Sequence, residues 1–292
     1  MQIVKSWILA ARPKTLVASL APILVGAALA YEKIEYYDYL AIFLCFGFSV
    51  LIQISTNFAN DYFDFIKGAD TEERIGPDRM VSKGLISPQL MLVGTIICLL
   101  MAFSLGVILM EHVQANRILL GVGVVSVLSA LAYTGGPFPL AYNGLGDCFV
   151  IFFFGLLAVC LTEYVLMCSA QFFWIPSWGI GLSVGLVINN LLVVNNYRDF
   201  EEDRSTGKNT LVVIFGRKFG LYLYAFGFFI ASVGCSIAYE NSRFTLLLIP
   251  LALFCMRKLT GAKEAKDYDN VLALSAVIVV LYALFTAFGI LW

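Results

Sequence analysis

Two clusters of acidic and amide side chains have a spacing that lets them act on one ligand. The first contains Asn57, Asn60, Asp61, Asp64 and Asp70, and the second contains Asn195, Asn196, Asp199 and Asp203. Offsets of three and four residues place most members of each cluster on one face of a helix. One such cluster alone could simply be a set of solvent-exposed acidic side chains at the end of a helix. Carboxylates stacked in two similar clusters favour a shared cation, with these predicted ligands: Asn60, Asp61, Asp64, Asp70, Asn195, Asp199 and Asp203.

The donor atoms of both clusters are hard oxygens. The chain has one histidine, His112, and its seven cysteines include no C-x-x-C pair. Oxygen donors without histidine or cysteine suit Mg²⁺, which proteins usually hold through one or two carboxylates together with substrate phosphates. Basic side chains that could bind phosphate follow or interrupt the clusters, namely Lys67, Arg74, Arg79, Lys83, Arg198, Arg204 and Lys208. These patterns predict a magnesium-dependent site for a lipid diphosphate.

The elements that position these clusters are predicted to be membrane-spanning helices. Of the 292 residues, 60% are hydrophobic and 13% are charged, whereas about a quarter of a soluble domain is charged. This composition excludes soluble Rossmann enzymes, TIM barrels and disordered proteins, and the lack of strict alternation argues against an outer-membrane barrel. Apolar windows of helical length predict an all-α membrane bundle of nine transmembrane helices: Leu16–Tyr31, Tyr39–Ala59, Leu90–Met110, Ile118–Tyr133, Leu145–Leu166, Trp174–Asn195, Phe219–Tyr239, Phe244–Met256 and Asn270–Trp292.

The basic residues predict the orientation of these nine spans. All lysines and arginines fall on the side of the N-terminus except Lys33, Arg117 and Arg243. The positive-inside rule makes that side cytoplasmic, and it also gives a topological explanation for the bases near the acidic clusters. Because the clusters lie at matching ends of spans two and six, we predict a single membrane domain, 1–292. It would contain pseudo-repeats at about 1–140 and 141–260 and a ninth span at 270–292.

The clusters resemble the two aspartate-rich motifs of the UbiA superfamily of intramembrane aromatic prenyltransferases. Longer motifs are similar to the 1,4-dihydroxy-2-naphthoate polyprenyltransferases of menaquinone synthesis: A-R-P-K-T-L at 11–16, N-D-Y-F-D-F-I-K-G-A-D at 60–70, residues 76–87, Y-T-G-G-P-F-P-L-A-Y-N-G-L-G-D at 133–147, and residues 198–213. The resemblance covers nearly the whole chain. In the general superfamily pattern an aspartate occupies the position of Gly68, whereas this chain has Asp70, a spacing associated with the dihydroxynaphthoate branch.

The resemblance implies a UbiA-like fold and an enzyme of a bacterial cytoplasmic (inner) membrane. Its substrates would be a polyprenyl diphosphate and 1,4-dihydroxy-2-naphthoate, with no nucleic acid partner, and it would release carbon dioxide and diphosphate. Mg²⁺ held by the clusters would make the diphosphate a leaving group. The expected catalytic residues are Asp61, Asp64, Asp199, Asp203 and Tyr133.

Tyr133 is the aromatic candidate for stabilising an allylic cation, although an interfacial tyrosine would occupy the same place in the sequence. The acceptor is expected to contact polar residues at the cytoplasmic ends of spans. The complete set of predicted substrate-binding residues is Arg12, Lys14, Asn57, Asn60, Lys67, Arg79, Lys83, Asn143, Asp147, Asn195, Arg198 and Lys208. Glu163 is predicted to be interfacial on the opposite side, and His112 to be solvated there.

Three other functions remain compatible with parts of the sequence. A related prenyltransferase could use 4-hydroxybenzoate, homogentisate or haem, but the longer motifs favour the naphthoate. A CDP-alcohol phosphatidyltransferase would require a D-G-x-x-A-R run, which the chain lacks. A cation-coupled transporter would place its carboxylates near the bilayer midplane, whereas these clusters lie at predicted span ends beside basic loops.

Overall fold

Helices form the regular structure of this protein. The computed structural model describes residues 2–68, 76 and 78–292. Within these ranges the helices are α1 (Gln2–Ala11), α2 (Val17–Ile34), α3 (Tyr39–Ile66), α4 (Pro88–His112), α5 (Ile118–Ala132), α6 (Gly146–Ser169), α7 (Trp178–Arg198), α8 (Phe200–Ser205), α9 (Leu211–Phe215), α10 (Arg217–Ala238), α11 (Glu240–Gly261) and α12 (Ala265–Leu291). Short 3₁₀ turns lie at Pro13–Thr15 and Leu140–Tyr142. An isolated bridge joins Asn143 to Asn209.

Eight of the described helices are long and apolar enough to cross a membrane: α2, α3, α4, α6, α7, α10, α11 and α12. The all-α prediction is therefore confirmed, and the chain is an integral membrane protein. Helix α5 has 15 residues, which is shorter than the roughly 20 needed to cross the hydrocarbon core. The predicted count of nine spans is consequently not confirmed. The division into two pseudo-repeats also stays a prediction.

Helix α3 extends beyond its predicted end and carries the first acidic cluster as helical residues. It begins after Asp38, whose carboxylate accepts a hydrogen bond from the backbone of Ala41 at 3.0 Å, a typical helix N-cap. It continues to Ile66, seven residues past the predicted boundary at Ala59. Helix α7 likewise ends at Arg198. The two clusters are thus held at helix termini by backbone hydrogen bonding.

Helix α7 lies at the centre of the bundle. It packs against α10, α12 and the first half of α6, and 67% of its most apolar window is buried, compared with 22% for α4. A helix surrounded by protein holds its side chains in fixed positions, whereas α4 can present its apolar surface to lipid. The N-terminal part of α6 contains a π-helical stretch, Ile151–Leu157, a feature that often occurs at functional sites.

Glycines allow α6 and α7 to approach closely. A Cβ atom added at Gly185 would lie 2.6 Å from the carbonyl oxygen of Ile151 and 3.0 Å from Gly155 Cα. Small residues at helix contacts stabilise membrane bundles by packing. We expect Gly185→Ala to destabilise the fold by about 1–3 kcal/mol, measured as a lower thermal unfolding midpoint in detergent. Gly179→Ala on the same helix is the control, because nothing lies within 4 Å of its added Cβ. Equal midpoints for the two variants would contradict the close contact.

Glu163 is buried inside the bundle, so its predicted interfacial position is wrong. Its side chain is 0% exposed and forms an ion pair with Lys33 Nζ. Ser177 Oγ and Trp174 Nε1 also donate to the carboxylate, at 2.8 and 3.3 Å. A buried carboxylate requires such partners, and these join α2 and α6 to the segment that precedes α7. His112, predicted to be solvated, contacts the Asp38 carboxylate at 2.9 Å.

Candidate active site

The two clusters meet at one end of the bundle, around a polar pocket. Helix α3 contributes Asn60 and Asp64 to its wall, and the C-terminal end of α7 contributes Asn195 and Arg198, with Asp199 following. The pocket encloses about 610 Å³, part of it open to solvent. Its other lining residues include Arg12, Arg79, Tyr133, Thr134, Gly146, Asp147, Asn196, Lys208 and Thr210. The structure thus brings together most of the predicted diphosphate-binding residues.

Two carboxylates of the pocket are held by arginines. Arg79 Nη2 donates to Asp64 Oδ2 at 2.5 Å. Arg198 donates from Nε and Nη2 to the two oxygens of Asp199, at 2.7 and 2.8 Å. All four side chains are buried, and a two-pronged guanidinium–carboxylate contact fixes both groups geometrically. The pocket therefore combines rigid negative and positive groups, as a magnesium–diphosphate ligand requires.

Asp203, the last member of the second cluster, forms a third ion pair with Lys208. Lys208 Nζ donates to Asp203 Oδ1 at 3.0 Å. Burial raises the pKa of Asp203 to about 6, although the charge of Lys208 opposes that shift. Burial by itself would lower the pKa of Lys208, but the carboxylates of Asp203, Asp64 and Asp199 raise it overall. Lys208 thus remains charged between both clusters, where a phosphate would bind.

Tyr142 connects the two clusters and was not singled out from the sequence. Its hydroxyl donates to Asp64 Oδ1 at 2.8 Å. Lys67 Nζ lies 4.3 Å and Lys208 Nζ 5.8 Å from the centre of its ring, within the range of cation–π attraction. The backbone of Asn209 also donates to the Tyr142 carbonyl at 3.0 Å. Tyr142 lies within the 133–147 motif, but only the folded loop shows that it contacts Asp64 of the first cluster and lies near Lys208, the partner of Asp203 in the second.

Thr134 is a second residue that the sequence did not single out. Its hydroxyl donates to Asn60 Oδ1 at 2.8 Å, and its carbonyl accepts from Lys67 Nζ. Burial lowers the pKa of Lys67, while the Asp64 charge opposes the change. The Lys67 side chain does not line the cavity. It contacts Thr134, which does line it, and Tyr142 beside it.

Asp61 does not line the pocket, so its role as a metal ligand stays a prediction. Its carboxylate oxygens accept from the backbone amides of Met80 at 3.0 Å and Val81 at 3.2 Å. Asn60 and Asp61 are consecutive, so they point about 100° apart around α3. Asn57 is similarly directed away, because its amide donates to the Ala11 carbonyl at 2.9 Å. These two residues organise the segments around the site.

Three more residues predicted to bind substrate lie outside the pocket. Lys14 pairs with Asp269 at 3.1 Å and Lys83 pairs with Asp78 at 3.3 Å, both on the surface. Asn143 is exposed and donates to the Pro139 carbonyl at 2.7 Å. Sequence spacing identified their side of the protein but could not give their direction. Asp70 lies outside the residues that the structure describes.

Arg12 lines the pocket from a strained backbone position. Its φ angle is 52°, which is uncommon for a residue other than glycine. The conformation ends α1 and starts the Pro13–Thr15 turn. Strain of this kind persists where neighbouring contacts hold it, and it often occurs at functional sites. The backbone turn thus directs Arg12 into the pocket, while Lys14 lies on the surface.

The donor set fits a hard divalent cation in its chemistry. The pocket and its edge offer amide and carboxylate oxygens from Asn60, Asp64, Asn195, Asp199 and Asp203. Asp203 Oδ2 is buried and has no hydrogen-bond partner among the described residues. Within residues 2–68, 76 and 78–292, no three histidine, cysteine, aspartate or glutamate side chains form one metal-binding group. Asp64, Asp199 and Asp203 each contact a basic residue.

A large apolar cavity lies beside the polar pocket. It has about 1170 Å³ of empty space, part of it open to the outside of the bundle, and is lined by residues of α2 to α6, including Phe48, Ser126 and Phe153. The Tyr133 ring, at the pocket wall, lies 5.0 Å from the Phe149 ring, which stacks on Phe153 at 4.4 Å. Phe149 also lines the apolar cavity. A row of aromatic rings therefore connects the polar pocket to a space that suits a hydrocarbon tail.

A model of the UbiA prenyltransferase family matches residues 19–274. This chain belongs to that family. A curated relative of this UbiA-family enzyme is the 1,4-dihydroxy-2-naphthoate octaprenyltransferase of Haemophilus influenzae, which is 35% identical over 98% of this chain and 96% of its own. The protein of the same name from Escherichia coli is 38% identical over 73% of this chain and 69% of its own.

Solved structures support the same fold for this UbiA-family enzyme. A UbiA homologue from Archaeoglobus fulgidus, bound to DMAPP and Mg²⁺, superposes with a TM-score of 0.65 at 15% identity, covering 98% of this chain and 99% of the other. At that identity the likeness establishes the fold. Together with the family match, it confirms a UbiA-like, all-helical membrane prenyltransferase.

Proposed function

We propose that this prenyltransferase moves a polyprenyl group from polyprenyl diphosphate to 1,4-dihydroxy-2-naphthoate with loss of the carboxylate, giving demethylmenaquinol, the hydroquinone form of demethylmenaquinone. Two bacterial relatives that match most of the chain carry the name of that activity. The longer sequence motifs independently resemble the same branch of the family. The acceptor therefore follows from the relatives and the motifs, whereas the reaction type also has support in the geometry of the site.

The observation that carries this proposal is that the two cavities are neighbours, since the Tyr133 ring of the polar pocket contacts the Phe149 ring of the apolar cavity. The diphosphate would occupy the polar pocket beside Arg79, Arg198 and Lys208, whose cationic groups match phosphate oxygens. Its prenyl tail would enter the apolar cavity past Tyr133 and Phe149. The bond that breaks would then lie beside aromatic rings, at the boundary of the two environments.

The residues of the pocket would divide the chemistry between them. Asn60, Asp64, Asn195, Asp199 and Asp203 would hold Mg²⁺, which when bound neutralises the diphosphate and makes it a better leaving group. The allylic C–O bond breaks and its electron pair leaves with the diphosphate. The rings of Tyr133 and Phe149 would face the allylic cation, which attracts aromatic faces, and would exclude water from it.

The acceptor completes the electron balance. Its ring carbon that bears the carboxylate forms a bond to the prenyl carbon. The bond from that ring carbon to the carboxylate then breaks, carbon dioxide leaves, and the released electron pair restores the aromatic ring. The product keeps both ring hydroxyls and is the hydroquinone demethylmenaquinol, so its formation needs no external oxidant or reductant.

We also propose a bacterial cytoplasmic membrane as the location, with the N-terminus and the loops of the site facing the cytoplasm. The uneven distribution of lysine and arginine supports this orientation. A water-soluble naphthoate and the diphosphate headgroup would then both reach the pocket from the cytoplasm. Cysteine-accessibility labelling of single-cysteine variants in intact cells would test the orientation.

The proposed activity is tested by incubating purified protein with 1,4-dihydroxy-2-naphthoate, octaprenyl diphosphate and Mg²⁺, and following lipid products by mass. We expect demethylmenaquinol, recovered as demethylmenaquinone once air oxidises it, with turnover reduced by at least about 100-fold when EDTA removes the metal. Restored turnover on adding excess Mg²⁺ controls for damage by EDTA. Product formed only from 4-hydroxybenzoate or homogentisate would overturn the naphthoate assignment, and turnover unaffected by EDTA would overturn the metal requirement.

A further inference from the structure

Among the residues that the structure describes, Asp147 differs from the other carboxylates of the pocket because it forms no ion pair with a lysine or an arginine. It is 3% exposed and lines the cavity. Its side-chain partner among the described residues is Asn189, whose Nδ2 donates to Asp147 Oδ1 at 2.9 Å. The carboxylates of Asp64, Asp199 and Asp203 are each paired with an arginine or a lysine. A buried carboxylate without such a partner is costly unless a donor reaches it.

The buried amide beside Asp147 strengthens this contrast. Asn189 is 2% exposed and lies on α7, two turns before the cluster at Asn195. With its amino group directed at Asp147, its carbonyl oxygen has no hydrogen-bond partner among the described residues. The pair is therefore polar and buried, but one of its oxygen atoms lacks a hydrogen bond among the described residues, whereas most buried polar atoms in proteins have a partner. Such a pair is expected to receive a hydrogen-bond donor from a bound molecule.

The electrostatics of the pocket exclude the diphosphate as that molecule. A diphosphate oxygen would be repelled by Asp147 and attracted to Arg79, Arg198 and Lys208, which also line the cavity. The ligand for Asp147 must instead carry a donor such as a hydroxyl. Under the proposed function, the aromatic acceptor has hydroxyl groups and prenyl diphosphate has none suited to this position.

The location of Asp147 suits an acceptor that must meet the prenyl carbon. Asp147 is the second residue of α6, and a Cβ atom added at Gly146, the first residue, would lie 3.4 Å from the Tyr133 hydroxyl. Phe149, two residues further on, is the ring that connects the polar pocket to the apolar cavity. A ring hydroxyl at Asp147 would place the acceptor at this junction.

We infer that Asp147, oriented by Asn189, accepts a hydrogen bond from a phenolic hydroxyl of the acceptor and so binds and orients its ring. This inference rests on the proposed prenyl transfer and names the residue that recognises the acceptor. A carboxylate that accepts from a phenol also increases electron density on the ring, which assists attack on the allylic carbon. Asn189 acts through Asp147 and is a positioning residue.

The test compares Asp147→Ala with the wild-type enzyme, using the acceptor that the wild type prenylates and its analogues that lack one ring hydroxyl. For the naphthoate these are 1-hydroxy-2-naphthoate and 4-hydroxy-2-naphthoate. Inhibition constants are measured at saturating prenyl diphosphate. In the wild type, we expect the analogue that lacks the hydroxyl bound by Asp147 to bind about 10- to 100-fold more weakly than the full acceptor or the other analogue. In Asp147→Ala, we expect this difference in affinity to disappear. Binding of prenyl diphosphate should change by less than about 3-fold.

Two further variants separate recognition from folding. Cys148→Ser alters the neighbouring exposed position and should leave discrimination unchanged. Asp147→Asn, which keeps the side-chain shape, should retain part of it because the amide oxygen can still accept a hydrogen bond. Unchanged discrimination in Asp147→Ala, with normal prenyl diphosphate binding, would overturn the inference. Failure of the naphthoate as a substrate for the wild type would instead overturn the proposed acceptor, and the same comparison would then use 4-hydroxybenzoate and benzoate.

Discussion

Replacing Asp199 with asparagine is expected to lower kcat by about 10²- to 10³-fold, the usual cost of losing one charged group that stabilises a leaving group. The substitution keeps the side-chain volume but removes the charge that Arg198 holds in place at 2.7 and 2.8 Å. Asp64→Asn, on the opposite wall, should have an effect of similar size. Steady-state turnover at saturating Mg²⁺ and substrates measures both variants.

The control for this pair is Asp61→Asn, on the same helix as Asp64. Asp61 binds the backbone of Met80 and Val81 and does not line the pocket, so its replacement should act mainly through the loop that follows α3. We expect a smaller loss of kcat than for Asp64→Asn, together with faster proteolysis of that loop. If Asp61→Asn abolished turnover while Asp64→Asn retained it in folded protein, the assignment of ligands within the first cluster would be wrong.

The double variant Asp64→Asn with Asp199→Asn tests whether both clusters serve one centre. Groups that act as a unit have strongly non-additive effects. We therefore expect the double variant to be little worse than either single variant. Fully additive losses would indicate two independent sites.

The sequence predicted a diphosphate site at the ends of the helices that face the side of the N-terminus. This was possible because charged residues are costly within a membrane and are therefore retained mainly where they have a function. Asp64 and Asp199 could be found from spacing alone, since helical offsets of four residues persist in the folded helices. The same offsets included Asp61, because they cannot distinguish adjacent residues whose directions differ by about 100°. That distinction depends on where the loop carrying Met80 folds, which is a tertiary contact.

Loop residues could not be predicted for a related reason. Tyr142 and Thr134 reach the clusters only because residues 133–147 fold back over the end of the bundle, where Asn209 donates to the Tyr142 carbonyl. The hydropathy of the sequence does not indicate how a loop folds back over the helices. Hydropathy located α5 to within one residue, since the predicted span Ile118–Tyr133 differs from the helix Ile118–Ala132 only at its end, but it gave no means of deciding whether so short a helix crosses the membrane.

The apolar cavity leads to a second large expected effect, on the length of the prenyl chain. Ser126 lines this cavity from α5, seven residues before Tyr133, or about 10 Å along a helix axis. A phenyl ring at that position would obstruct a long tail but would not reach a dimethylallyl group beside Tyr133. We expect Ser126→Phe to reduce kcat/KM for octaprenyl diphosphate by at least about 10-fold, and for dimethylallyl diphosphate by less than about 3-fold.

The adjacent residue provides the matched control, because Val125 is 58% exposed and does not line the cavity. Val125→Phe adds a ring to the same helix on its outer side, so it should leave the preference for chain length unchanged. Competition assays with both diphosphates in one mixture give the ratio of kcat/KM values directly and cancel differences in the amount of active protein. An unchanged ratio in Ser126→Phe would mean that the tail leaves the polar pocket by another route. A changed ratio in Ser126→Phe alone would place the tail between α5 and the helices that face it, and would make the volume of this cavity the physical limit on chain length.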